Sequence, residues 1–251
     1  MLLFRPTLNI GFVWNNNLIR AGVQLKRWTT QGQAKVKRRL TPACSFGSEP
    51  RALKFGKGFG SMELIKKKFS PIIVLVAAIW IVEAVNLFLG HGLTSWGILP
   101  RRASGLIGIP LAPFLHAGLW HAISNTVPLL ILGALTLIGG KTRFWANTVG
   151  IVLLSGVLVW LFARGVSHVG ASGLVLGYFG ALLARAYFER GFVSIAVACV
   201  TMILYGGMLW GILPLRSYIS FEGHLFGLIA GIAVAWLGQK LKPRTGDTKA
   251  S

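Results

Sequence analysis

Six apolar segments, each near the ~20 residues an α-helix needs to cross a bilayer, constrain this chain more than any other feature. They run over about 71–90, 118–139, 144–163, 171–188, 192–212 and 223–241. Inside lipid every backbone N–H and C=O must be satisfied within the protein, which leaves helices or a closed barrel, and runs of this length select helices. The spacing predicts an all-α polytopic membrane protein, a six-transmembrane-helix bundle. Composition agrees: 13% of the residues are charged, against about 25% in an ordinary soluble domain. The 32 glycines fit the same class, because glycine is commoner in membrane helices than in soluble ones. The fourth segment is short, as expected if its start lies below the membrane surface.

Charge predicts the orientation. The net charge of +20 suits nucleic acid or anionic lipid as a partner. The basic residues lie in the tails and short loops with almost none between. The lipid bilayer is therefore the predicted partner, and no nucleic acid is expected. With the N-terminus placed in the cytoplasm, inner segments after residue 61 hold eleven Lys and Arg and outer segments hold four. The positive-inside rule favours that arrangement, with N- and C-termini both cytoplasmic. All five histidines (His91, His116, His121, His168 and His224) and Ser172 then fall toward the outer side. The Pro- and Gly-rich stretch 91–115 is too long for a simple turn, and its Trp96 suits an interfacial anchor.

Three regions follow. Residues 1–61 hold eleven Lys and Arg and one acid, Glu49. They read as a basic, disordered tail, as upstream-translated sequence before a true start at Met62, or as an organellar transit peptide. Residues 62–241 form the six-span membrane domain, and 242–251 a short polar cytoplasmic tail. Cys44 and Cys199 suggest neither a disulfide nor a metal site by spacing or context.

The chemistry-bearing residues cluster at span ends. Gly170 and Gly173 flank Ser172, so the backbone there can turn tightly and approach a neighbouring helix. Alone, such a pattern ordinarily means close packing. His224 changes the reading, because it opens the sixth span within a glycine row. Gly223, Gly227 and Gly231 repeat every four residues, as do Gly173 and Gly177 on the fourth span. Two small-residue faces let helices pack closely, which would bring serine and imidazole toward each other as nucleophile and base. His121 and Asn125, four apart, share a helix face and can donate hydrogen bonds to an oxyanion together with the backbone around Ser172. His116 reads as a structural tie between loop and core. No metal site is expected, since His116 and His121 lack the HExxH spacing and no acid lies between them. Glu222 precedes His224 by two residues and Glu83 lies within the first span, so no acid is placed to complete a triad and a dyad is predicted. Tyr178 and Tyr205 are possible contributors that the sequence does not separate.

At these residues the chain resembles the rhomboid intramembrane serine proteases, over about residues 97–241. The motifs are His116-x4-His121-x3-Asn125, Gly170-Ala171-Ser172-Gly173 and His224-x2-Gly227-x3-Gly231, in the family's order. The resemblance implies Ser172 as nucleophile and His224 as base. It implies an oxyanion or substrate-binding site of His121, Asn125 and Gly170, supported by His116, Gly173, Gly227 and Gly231. The implied substrates are transmembrane proteins cut near the outer face, without cofactor or ATP. Two departures stand out. Gly97 follows Trp96 where many members carry Trp-Arg, the nearest basic pair being Arg101-Arg102, and Leu176 stands four residues after the serine where an aromatic is frequent. The stretches Ile98–Arg101 and Ala112–His116 resemble a bacterial subgroup, which favours the Met62 start and a bacterial inner membrane with the site on the periplasmic side. The alternatives are a non-catalytic rhomboid-like protein that binds membrane helices, which would not need both Ser172 and His224, and a small transporter, for which internal repeats are lacking.

Overall fold

A computed structural model describes residues 58–214 and 220–241. The expectations for residues 1–57, for Cys44, for loop residues 215–219 and for the tail beyond 241 lie outside the described residues. The described residues fold into seven α-helices with short 3-10 segments and no named strand. They are α1 (Gly58–Phe88), the short α2 (Gly108–Leu111), α3 (Leu119–Leu137), α4 (Lys141–Phe162), α5 (Ser172–Glu189), α6 (Phe192–Tyr205) and α7 (Phe221–Lys240). A 3-10 segment, Gly206–Ile212, prolongs α6. The six long helices match the six apolar segments. The described residues form an all-helical bundle, and the protein is a multi-pass membrane protein.

Helix α1 begins well before residue 71, with Pro71 inside it. Proline lacks the N–H that would bond four residues back, here to the carbonyl of Lys67. Ser70 Oγ donates to that carbonyl at 3.0 Å instead. The lysines 66–68 are good helix formers, so the helix continues through the basic stretch.

Five helices are long and apolar enough to cross a membrane: Glu63–Phe88, α3, α4, Phe192–Ile212 and α7. The exception is α5, which carries Arg185 and Glu189. Ten of its eighteen residues are buried, because α3, α4, α6 and α7 all pack on it. A helix enclosed by protein needs less lipid-compatible surface, so its composition is freer. At its C-terminal end Glu189 accepts from Arg143 (3.1 Å), Arg185 (2.6 Å) and Ser194 (2.7 Å), tying α4, α5 and α6 together. Tyr178 is buried, its hydroxyl bonded to Thr148 of α4.

The α5–α7 seam is the tightest contact. A Cβ on Gly227 would strike the carbonyl of Gly173, and one on Gly231 the carbonyl of Gly177. The two glycine rows therefore interlock, with backbone on backbone.

The stretch 91–115 folds into 3-10 turns and α2, laid over the C-terminal end of α4. Arg101 binds the C-terminal end of α4. Its Nη1 donates to the carbonyls of Leu161 (3.3 Å) and Ala163 (2.7 Å), its backbone N–H to Trp160 O (3.0 Å). Trp160 Nε1 in turn donates to Arg102 O at 2.9 Å. A cation on the orphan carbonyls of a helix end is favourable. Because Arg101 is exposed, Arg101→Ala is expected to cost only about 1 kcal/mol, read as a small drop in thermal midpoint in detergent. Arg101→Lys should recover the charge but not both carbonyl contacts.

Candidate active site

Ser172 is the first residue of α5. Gly170, two residues earlier, has φ +114°, a conformation that L side chains rarely adopt. Its N–H donates to Ala112 O at 2.8 Å. A Cβ at this position would lie 2.7 Å from His121 Cε1, 2.8 Å from His121 Nε2 and 3.8 Å from Asn125 Nδ2. Gly170 thus lets the backbone leading to Ser172 pass directly against two side-chain donors of α3. Asn125 spends one amide N–H on His121 O (2.9 Å) and retains a second.

His116 sits beneath this turn. It is fully buried, and its Nε2 accepts the Ala171 N–H at 3.3 Å, which puts the proton of the neutral ring on Nδ1. Its ring meets that of His121 edge to face, with centroids 5.1 Å apart. Its carbonyl accepts from Asn86 Nδ2 at 3.0 Å, and Asn86 Oδ1 accepts the Leu93 N–H at 3.1 Å. A chain of hydrogen bonds therefore runs from α1 through His116 to the residue preceding Ser172. Burial, with the nearby His121, pushes the His116 imidazole down to about 4, the Phe114 backbone opposing. The unfolded chain binds that proton near pH 6.5 and the folded chain only near 4, so stability falls as pH drops through this window. His168, lowered chiefly by burial, adds to the same sign. Denaturant unfolding in detergent is expected to lose roughly 3 kcal/mol between pH 7 and pH 4, with a visibly flatter profile in His116→Gln.

His224 lies in the first turn of α7. Gly173, next to Ser172, faces Gly223, next to His224, with a Cβ on Gly173 lying 3.1 Å from Gly223 O. The seam thus sets serine and histidine on adjoining helices at the same end of the bundle. Ser172 and His224 are not hydrogen-bonded to each other in this arrangement; His224 Nδ1 lies instead 2.9 Å from Gly211 O.

Two groups around α7 take places that the sequence alone did not assign. His168 Nδ1 lies 2.6 Å from Ser220 Oγ and Nε2 lies 3.1 Å from Arg164 O. Ser220 Oγ also accepts the Gly223 N–H at 3.2 Å, capping α7. The backbone of His168 pairs on both sides with Ile98 at 3.0 Å. His168 therefore locks the 91–115 stretch, the α4–α5 loop and the start of α7 together. The second group is Glu222, whose Oε1 lies 2.9 Å from Arg164 Nε. Glu222 is engaged there rather than with His224. Leu176 is fully buried, and Tyr178 is bonded to Thr148 rather than to His224.

Beside Ser172 lies a cavity of about 50 Å³ whose lining includes Gly170, His168, Ser220 and Gly223. It exceeds the ~15 Å³ that one water needs, and it offers polar partners. No group of three or more metal-ligating side chains is found among the described residues.

Comparison with known proteins bears on this region of the chain. The Rhomboid domain profile matches residues 103–240, which include every one of these groups except Asn86, Leu93 and Ile98. The chain is 38% identical over 178 residues to "Uncharacterized protein Rv1337" of Mycobacterium tuberculosis, covering 67% of this chain and 74% of that protein. It is 34% identical to "Uncharacterized protein ML1171" of Mycobacterium leprae, over 66% of this chain and 69% of that one. It is 28% identical to "Putative rhomboid protease YdcA" of Bacillus subtilis, over 52% of this chain and 66% of the relative. With a domain match over more than half its length and a six-helix bundle built around the same motifs, this chain belongs to the Rhomboid family.

Proposed function

We propose that the protein is an intramembrane serine endopeptidase that hydrolyses peptide bonds in or near transmembrane segments of membrane proteins. The observation that carries this reading is the meeting of Gly170 with His121 and Asn125, directly before a serine whose helix interlocks with that of His224. Ser172 Oγ attacks the scissile carbonyl while His224 Nε2 takes its proton. The oxyanion is stabilised by His121 Nε2, the free amide N–H of Asn125 and backbone N–H at the start of α5. His224 then returns its proton to the leaving amine. A water, reaching the site through the cavity beside Ser172, repeats the cycle on the acyl-enzyme. The substrate helix must unwind locally before its carbonyl is reachable, so helix-breaking residues near the cleaved bond favour it. The membrane is taken to be a bacterial inner membrane, with the site toward its outer face, where the four outer basic residues are outnumbered by eleven inner ones.

The test is reconstitution of the wild-type chain and of Ser172→Ala in liposomes with a single-span substrate and a fluorophosphonate probe. Cleavage and labelling by the wild type alone support the reading. A folded wild-type protein that neither cleaves nor labels would shift the role to binding membrane helices without hydrolysis.

A further inference from the structure

A base that accepts a proton at Nε2 must hold its own proton on Nδ1, and Ser-His-Asp sites use a buried carboxylate to keep it there. Here the nearby carboxylate, Glu222, is paired with Arg164. The atom that faces His224 Nδ1, at 2.9 Å, is the backbone carbonyl of Gly211. We propose that this carbonyl orients His224 and fixes its tautomer, so that Gly211 is a positioning residue filling the place of the missing acid. The proposal deepens the serine-peptidase reading and rests on it.

Two further observations explain why this position can serve. Gly211 lies in the 3-10 segment Gly206–Ile212. In such a segment a carbonyl bonds to the N–H three residues on, and three residues after Gly211 stands Pro214, which has none. The carbonyl is left without that local donor and accepts the imidazole instead. The second observation is steric. A Cβ at position 211 would lie 2.7 Å from His224 Nδ1 and 3.3 Å from Cε1. Only glycine lets the backbone come this close without pushing the ring away. Position 207, in the same segment, has open space where a Cβ would be, so the requirement belongs to 211 and is not a general demand of the segment. The base is consequently held from outside its own helix, by the element that prolongs α6.

The experiment uses full-length protein labelled with 15N-histidine in detergent micelles, with His224→Ala identifying the His224 signals by difference. At neutral pH the neutral ring is expected to show a protonated Nδ1 and a bare Nε2. Alongside, the rates of fluorophosphonate labelling and of substrate cleavage are measured for the wild type, Gly211→Ala and Gly207→Ala. Gly211→Ala is expected to lower the labelling rate and kcat by about 100-fold, the scale of a misplaced catalytic group, with KM little changed and with altered His224 nitrogen signals. Gly207→Ala should behave as wild type. A wild type that labels with the probe yet carries its His224 proton on Nε2 would overturn the orienting role while leaving the peptidase reading intact. So would a Gly211→Ala protein of wild-type rate. A wild type with the expected tautomer but neither labelling nor cleavage would overturn the peptidase reading, and the proposal with it. If Gly211→Ala does not fold, the wild-type tautomer still decides the question.

Discussion

Replacing His224 by alanine is expected to slow peptide-bond hydrolysis by at least about 10⁴-fold, and Ser172→Ala to slow it by as much. The two losses should not multiply. In the proposed dyad, nucleophile and base act as a unit, so removing the second after the first removes nothing further. The double variant is therefore expected to be no slower than either single one. Both side chains are only partly buried at the end of the bundle, so both substitutions should leave the unfolding free energy within about 1 kcal/mol of wild type. This combination separates a chemical role from a packing one: two residues that merely stabilised the α5–α7 contact would show additive losses that track stability. Cleavage by His224→Ala at a rate near wild type, or multiplicative losses in the double variant, would remove His224 as the base. His121→Ala and Asn125→Ala should fall between, each near the 10²- to 10³-fold effect of losing one oxyanion donor.

The site was legible wherever it depends on a repeated spacing. Gly173 and Gly177 against Gly223, Gly227 and Gly231 mark a close helix pair in the sequence itself, because a four-residue period places small residues on one face. The structure sets Gly227 on Gly173 and Gly231 on Gly177. His121 and Asn125 likewise followed from helical spacing, and both lie against Gly170. The number of long helices followed from hydropathy.

What escaped the sequence was whatever depends on a single backbone atom or on a loop's path. No periodicity marks the Gly211 carbonyl as the neighbour of His224. Arg101 lies at the end of α4 only because the 91–115 stretch folds back over it, with Gly105 and Gly108 pressed so closely on Leu99 and Gly97 that a Cβ on either would strike backbone. His168 gave no signal beyond its side of the membrane, since its partners Ile98 and Ser220 stand 70 residues before it and 52 residues after it in the sequence. Helix α1 starts ahead of the apolar segment 71–90 for a local reason: Ser70 satisfies the carbonyl that Pro71 abandons.

The second large effect concerns that seam. Alanine at an exposed helix glycine ordinarily stabilises by about 1 kcal/mol, because glycine has more backbone freedom to lose. Gly238→Ala should show this gain or no change, since nothing lies within 4 Å of the added carbon. At Gly173 the new carbon meets Gly223 O at 3.1 Å, a contact a small shift relieves, and the two effects should nearly cancel. At Gly231 it meets the carbonyl oxygen of Gly177, with the carbonyl carbon at 2.7 Å and Cα at 2.9 Å. These are main-chain atoms of the most enclosed helix in the bundle, so no side chain can rotate away and the helices must separate. Overpacking of this kind costs about 1–3 kcal/mol, and here it also moves α7, which carries His224, relative to α5, which carries Ser172. Gly231→Ala is therefore expected to lower stability despite its higher helix propensity and to lower activity by more than its loss of folded protein accounts for. Gly227→Ala, against Gly173 itself, should act more strongly on activity because it lies one turn nearer the two side chains. Unfolding in detergent and cleavage rate per folded molecule, measured across Gly238→Ala, Gly173→Ala, Gly227→Ala and Gly231→Ala, test the order. A Gly231→Ala protein as stable and as active as wild type would mean that α5 and α7 do not meet backbone to backbone.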